Sequence, residues 1–471
     1  MQLTPRRMGR VSQALGLLTA NLLAATIAHA QDAQVPVTTA PNEVSADSSV
    51  NDDTQTDLGL TRVDTAVLFY QEAGGRVRAT EPVVNVTLNG SGGDILSVKL
   101  TADALTGATP NGAAPWNASQ TFLTPAQAPG VTTAVTNASG GSTLVTIPGT
   151  GTVARQYVVA PHALPVDTAF RDHRYAVDLG YSLLWNPDTR FNFGAGLSTE
   201  RDYSSYTLTG GVARDLNSKR TTVSLGVDFE FDRSRPVFGT PTPFAVMSAE
   251  PKGANRSKTV ASLVVGATQV VNRYWLAQVN YSVGTTNGYQ TDPYRIISVV
   301  DPTTGAPLQY LYESRPGSRL RQSLYFGNKI AIGPTFADIS VRGYHDSWGI
   351  SSVTVAASER IPITTWLYVE PEARYYSQTA ASFFHNYLLG GLALPAFASS
   401  DSRLDRFSAV TAGLKVGLKL SRTGEFYLQV DDYKQTGRSH PAGAPGALAN
   451  ENLFAGVSAA NVVVGYTFAF W

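Results

Sequence analysis

Cysteine is absent from this 471-residue chain, which excludes a disulfide framework, a thiolate metal site and a cysteine nucleophile. Also missing is any excess of one charge: 36 Lys and Arg balance 36 Asp and Glu. No global field therefore draws the protein to nucleic acid or acidic lipid, and electrostatic specificity must come from local arrangement. Nor does any apolar run reach the roughly 20 residues that a spanning helix needs. At the start, Arg6, Arg7 and Arg10 precede an apolar stretch from Ala14 to Ile27, and Ala28-His29-Ala30 supplies a small-x-small site. This pattern predicts an export signal over 1–30, cleaved before Gln31, rather than an anchor.

What is present is glycine, tyrosine and phenylalanine (42, 21 and 19 residues) in a chain that is 43% hydrophobic. That composition fits neither a disordered chain nor a helical membrane protein. Residues 31–57 are rich in Thr, Ser, Asp, Asn and Pro without periodicity, and are expected to form a disordered periplasmic arm. From Leu58 onward, segments alternate apolar and polar positions. In Thr221–Asp232, Val223, Leu225, Val227, Phe229 and Phe231 share one face, while Ser224, Asp228, Glu230 and Asp232 share the other. Tyr175–Trp185 and Val410–Leu420 repeat the pattern. A soluble sandwich would pack its apolar face on a second sheet; charged, glycine-rich polar faces suit a wet lumen with lipid outside.

Sixteen such strands are expected, near 58–72, 76–89, 93–104, 170–184, 190–202, 204–214, 220–232, 257–271, 274–286, 318–332, 335–348, 351–361, 365–377, 404–420, 424–437 and 459–471. Their connections alternate between tight turns and a second set that holds every long loop: 105–169, 233–256, 287–317, 378–403 and 438–458. Short periplasmic turns opposite long external loops mark an up-and-down outer-membrane β-barrel spanning 58–471, in a Gram-negative bacterium. In the last strand Tyr466, Phe468 and Phe470 alternate toward Trp471, which falls one residue out of phase. This terminal aromatic strand resembles the signal read by the barrel assembly machinery.

The chain also resembles a family of Gram-negative outer-membrane barrel proteins whose domain has no assigned function. The resemblance lies in Asp103-Ala104-Leu105-Thr106-Gly107-Ala108-Thr109-Pro110-Asn111-Gly112, Asp292-Pro293-Tyr294-Arg295, Arg342-Gly343-Tyr344-His345-Asp346-Ser347-Trp348-Gly349-Ile350 and Arg374-Tyr375-Tyr376-Ser377-Gln378. It implies no activity. It does imply association with flavin-attaching transferases and small exported redox proteins, hence extracytoplasmic redox chemistry.

Three functions compete. A porin-like channel for small solutes would use lumenal charges: Lys99, Asp103, Asp228, Glu230, Asp232, Arg319, Arg321, Lys329, Asp338, Arg342, Glu370, Glu372, Arg374, Lys415 and Lys419. The acids of the seventh strand lie across the ring from the lysines of the fourteenth, an arrangement that would orient dipolar solutes. A ladder of salt bridges filling the barrel is the plainer account of the same charges. Loop 105–169, nearly uncharged, could fold inward as a constriction or cap the mouth.

A lipid-facing hydrolase would use His345 and Ser347, two apart on one strand, with Asn328 as a spatial guess for the third member. One His and one Ser at this spacing is a common coincidence. In the third reading, a closed adhesive or structural barrel, Tyr289, Tyr294, Tyr310, Tyr312, Arg295 and Arg315 of loop 287–317 would bind partners or line the membrane interface. His162, His173, His385 and His440 are scattered, and Asp431-Asp432 and Asp52-Asp53 lack calcium-loop spacing, so no metal or other cofactor is expected. Basic residues are not interleaved with stacking aromatics, which gives nucleic acid no support.

Overall fold

The computed structural model describes residues 61–125, 142–146, 153–236, 239–247 and 253–470. The export signal, the 31–57 arm and Trp471 therefore lie outside the described residues. In chain order the strands are β1 (Thr61–Glu72), β2 (Arg78–Asn89), β3 (Ile95–Pro110), β4 (Gln120–Pro125), β5 (Ser142–Thr146), β6 (Val153–Val159), β7 (Val166–Asn186) and β8 (Thr189–Thr199). Next come β9 (Tyr203–Leu216), β10 (Thr221–Ser234), β11 (Arg256–Asn272), β12 (Trp275–Gly288), β13 (Ile296–Val300), β14 (Pro307–Tyr312) and β15 (Ser318–Ile332). The last are β16 (Thr335–Asp346), β17 (Ser351–Pro362), β18 (Leu367–Gln378), β19 (Leu388–Leu389), β20 (Phe407–Lys419), β21 (Gly424–Gly437) and β22 (Ser458–Phe470).

Sixteen of these close a barrel in the order β1-β2-β3-β7-β8-β9-β10-β11-β12-β15-β16-β17-β18-β20-β21-β22. They are the sixteen strands expected from the alternation. β22 closes on β1, with Thr61 opposite Phe470 and Glu72 opposite Ala459. Closure matters because an open edge would leave backbone donors and acceptors unsatisfied in lipid. Side chains sort as the period of two demands. Val223, Leu225, Phe229 and Phe231 of β10 are exposed on the outer face, whereas Thr222, Asp228 and Asp232 are buried on the inner face. Tyr466 and Phe470 likewise point outward from β22, with Asn461 and Val463 buried inside.

Connections at one end are tight, and those at the other include all five long ones. The boundaries of the first long loop need correction, however. β3 runs to Pro110 and β7 starts at Val166, so the antiparallel ladder climbs past residue 105. Alternation marks only the part of a strand that faces lipid; backbone pairing continues beyond it without an apolar face. Between them β4, β6 and β5 form a small separate sheet, and β14, β13 and β19 form another.

Candidate functional site

The long connections interlock. Three of them follow the third, ninth and fifteenth barrel strands, so they start six, six and four strands apart around the ring. Yet each touches the other two. Ile296 N–H donates to Asn111 O at 2.9 Å, Ala447 N–H donates to Thr304 O at 3.0 Å, and His162 Nδ1 lies 2.8 Å from Glu451 Oε1. Loops rooted that far apart can meet pairwise only across the mouth of the barrel. A fourth joins through β19, whose Leu388 pairs with Val299 of β13. Phe122, Tyr157, Ile296 and Tyr312 form one apolar centre of this lid; Ala114, Val300 and Leu448 form another. Close approach demands glycine. A Cβ on Gly112 (φ +95°) would stand 2.3 Å from Ile296 O, and one on Gly446 (φ +49°) 2.2 Å from Thr304 O. The described contacts of the 111–165 segment thus make it part of a cap shared with the other long connections.

Beneath the apolar packing lies a buried ion network. Arg315 contacts Glu313 at 2.6 Å and Asp401 at 2.8 Å. Arg403 contacts Asp401 at 2.5 Å and Asp292 at 3.6 Å, and Arg295 lies 3.5 Å from Asp401. Burial alone would raise the Asp401 carboxyl, but Arg295, Arg403 and Arg315 hold it well below the usual range. Glu313 shifts upward, because burial outweighs the pull of Arg315. The network ties the β12–β15 connection to the β18–β20 connection. Tyr310, Tyr312, Arg295 and Arg315, read from sequence as partner-binding or interfacial, are instead internal to the lid. Tyr294 donates its hydroxyl to Asp202 on the β8–β9 connection.

Below the lid, the charges read as lumenal all lie on inward-facing positions. Asp228, Asp232, Arg321 and Lys415 are buried in the wall; Glu230, Arg319, Arg342, Glu370, Glu372 and Lys419 are half-buried; Arg374 is exposed. Most have partners on adjacent strands: Asp232 with Lys258 at 3.2 Å, Arg319 with Asp346 at 2.6 Å, Lys329 with Asp338 at 3.6 Å and Glu370 with Arg360 at 3.1 Å. Lys415 stands over the Tyr427 ring at 4.5 Å, and Gln429 donates to Glu372 at 3.2 Å. The acids of the seventh strand and the lysines of the fourteenth are therefore tied into their own walls first. Glu81, Arg174, Asp172 and Glu200 were not singled out in the sequence. Only the register of β2, β3 and β7 brings the first two to Asp103, which Arg174 contacts directly.

His345 and Ser347 each engage another partner. β16 ends at Asp346, so Ser347 lies beyond the strand. Its hydroxyl accepts from Leu320 N–H at 3.0 Å, while the His345 ring pairs with the Ser351 hydroxyl at 2.9 Å. Asn328 accepts from the Trp275 indole at 3.0 Å. It pairs with Ile339, six rungs from the Gln322–His345 pair, and does not complete a triad. Trp348 is buried against Phe383. Among the described residues no group of His, Asp or Glu is arranged to hold a metal ion; Asp431 and Asp432 point to opposite faces.

A model of the family described as protein of unknown function DUF3570 matches residues 19–468. The chain belongs to this family. No curated protein matches the DUF3570 sequence. Among solved structures, CdiB from Acinetobacter baumannii is 8% identical with a TM-score of 0.41, over 87% of this chain and 60% of that one. The ferric enterobactin receptor PfeA, in complex with BCV-L6, is 11% identical with a TM-score of 0.40, over 85% and 58%. OpdK from Pseudomonas aeruginosa is 8% identical with a TM-score of 0.36, over 88% and 99%. The DUF3570 chain spans about three fifths of the length of the first two.

Proposed function

We propose that this DUF3570 protein is an outer-membrane channel for small solutes whose external mouth is narrowed by bridged loops. One observation carries the reading: a closed ring of sixteen strands is apolar outside and charged inside. An outer face of Leu, Val, Phe and Tyr is stable against lipid and costly in water. A ring of that size is wide enough to hold water along its polar wall. Among the described residues each barrel strand packs extensively only against its ring neighbours, so the wall is one layer thick. The lid crosses the mouth on hydrogen bonds between separate loops, which restricts passage to what fits between them.

The lid also favours a second reading, a closed barrel that presents the interlocked loops to a partner. Single-channel conductance in a planar bilayer separates the two. The native protein should give small steady currents, which rise several-fold when residues 113–163 are replaced by a short Gly-Ser linker. Silence from folded native protein, with current only after the replacement, would make the lid a plug that must be opened. Silence from both would overturn the channel and leave the scaffold.

A further inference from the structure

The half of the lumen nearer the lid is polarised from one wall to the other. On the second, third and fourth strands of the ring, Glu81, Asp103 and Asp172 gather around Arg174, with Lys99 also close to Glu81, and Glu200 at the end of the fifth strand joins them. Four carboxylates against Arg174 and Lys99 leave this wall acidic. Asp103 is only 7% exposed. One of its oxygens is on Arg174, Oδ1 is left without a donor among the described residues, and the Glu81 carboxyl stands beside the pair.

Facing that wall stand Arg342 on β16 and Arg374 on β18, the eleventh and thirteenth strands. In a ring of sixteen, the eleventh strand lies eight places from the third, which puts Arg342 diametrically opposite Asp103. Arg374 stands within one strand of the position opposite Glu200. Among the described residues neither arginine makes an ion pair. Arg342 lies over the Tyr325 ring at 5.5 Å and Arg374 over the Tyr376 ring at 5.9 Å. An arginine backed by an aromatic face and lacking a carboxylate keeps its donors for what passes in the lumen. The neighbouring Arg319, by contrast, is consumed by Asp346.

We propose that this upper lumen selects small zwitterions, solutes carrying an ammonium and a carboxylate, by orienting them across the pore. The ammonium turns to the Glu81–Asp103–Asp172–Glu200 wall and the carboxylate to Arg342 and Arg374. A field across the lumen is attractive to a dipole but gives a simple cation or anion one favourable wall and one unfavourable wall. The inference rests on the channel reading and names its substrate class.

The test is swelling of proteoliposomes holding the full-length protein in β-alanine or its uncharged isomer lactamide, each corrected for protein-free vesicles. β-Alanine should enter several-fold faster than lactamide through the native protein. The double variant Arg342→Gln/Arg374→Gln should bring the two rates together and move the KCl reversal potential toward cation selectivity. Glu200→Gln, outside the strands and safe for assembly, should shrink the preference from the other wall. Equal rates through the native protein would overturn the zwitterion proposal and leave the channel intact. Swelling with neither solute would remove the channel reading, and this proposal with it.

Discussion

Asp401 shows how much one side chain holds in the lid. It is almost wholly buried, and three arginines converge on it. Removing one member of such a network leaves buried charge uncompensated, at a cost of about 3–5 kcal/mol. Asp401→Asn should therefore open the 379–406 connection to protease while the barrel stays resistant; unchanged cleavage would show that the apolar packing alone holds the lid. The pH dependence has two signs. Asp401 titrates below its unfolded value of about 3.9, so its contribution is present above that pH and lost as pH falls through the depressed pKa. Asp405, pushed up to about 6 by burial, and Glu313, also raised by burial, cost stability when ionised. That cost is relieved as pH falls through the raised values. Protease resistance of the lid should thus rise slightly between neutral pH and about 5 and collapse below about 4. A monotonic loss from neutral pH downward would contradict these assignments.

At the scale of the element, β22 decides closure. Its outward Tyr466, Phe468 and Phe470 stack along the strand, with ring centroids 5.7 Å and 5.9 Å apart. The same residues pair across both seams, Phe468 with Val63 of β1 and with Gly424 of β21. Deleting Tyr466 to Trp471 removes five of the twelve pairs with β1 and three of the eleven with β21, and leaves two open edges, each a row of unpaired backbone groups. Such a chain should lose the heat-modifiable mobility on SDS gels that marks a closed barrel. Retention of that mobility would mean the ring can close without the end of its last strand. The β3–β7 pair illustrates the opposite case, where a ladder outlasts its sequence signal. Its outward positions alternate Leu96, Val98 and Leu100, then pass into Ala102, Ala104 and Thr106, while the pairing continues to Pro110 and Val166.

For the whole molecule, two kinds of cohesion meet at the mouth. The barrel is held by a continuous ring of backbone hydrogen bonds that heat or detergent must break together. The lid is held by small apolar centres and ion pairs between loops. Opening is expected to follow that difference, as low-stability units open below the global transition. On heating, cleavage in the long connections should precede loss of the barrel's SDS resistance by several degrees. Simultaneous loss would show that the lid is an integral part of barrel cohesion.

By itself the sequence determined the barrel. Alternation with a period of two, tight turns at one end and long loops at the other were enough to place sixteen strands, because lipid imposes one local rule on every strand and that rule is written residue by residue. The charged positions it singled out stand opposite the exposed apolar face. What it could not determine is who meets whom across the ring. That Asn111 meets Ile296, that Ala447 meets Thr304, and that Arg315 of one loop serves Asp401 of another depends on contacts between distant segments with no periodicity. The same holds for Asp103 facing Arg342, which follows only from counting strands around a closed ring. Local physics fixed the wall; only tertiary structure decided what covers the mouth and which charges face each other, because both are consequences of closure.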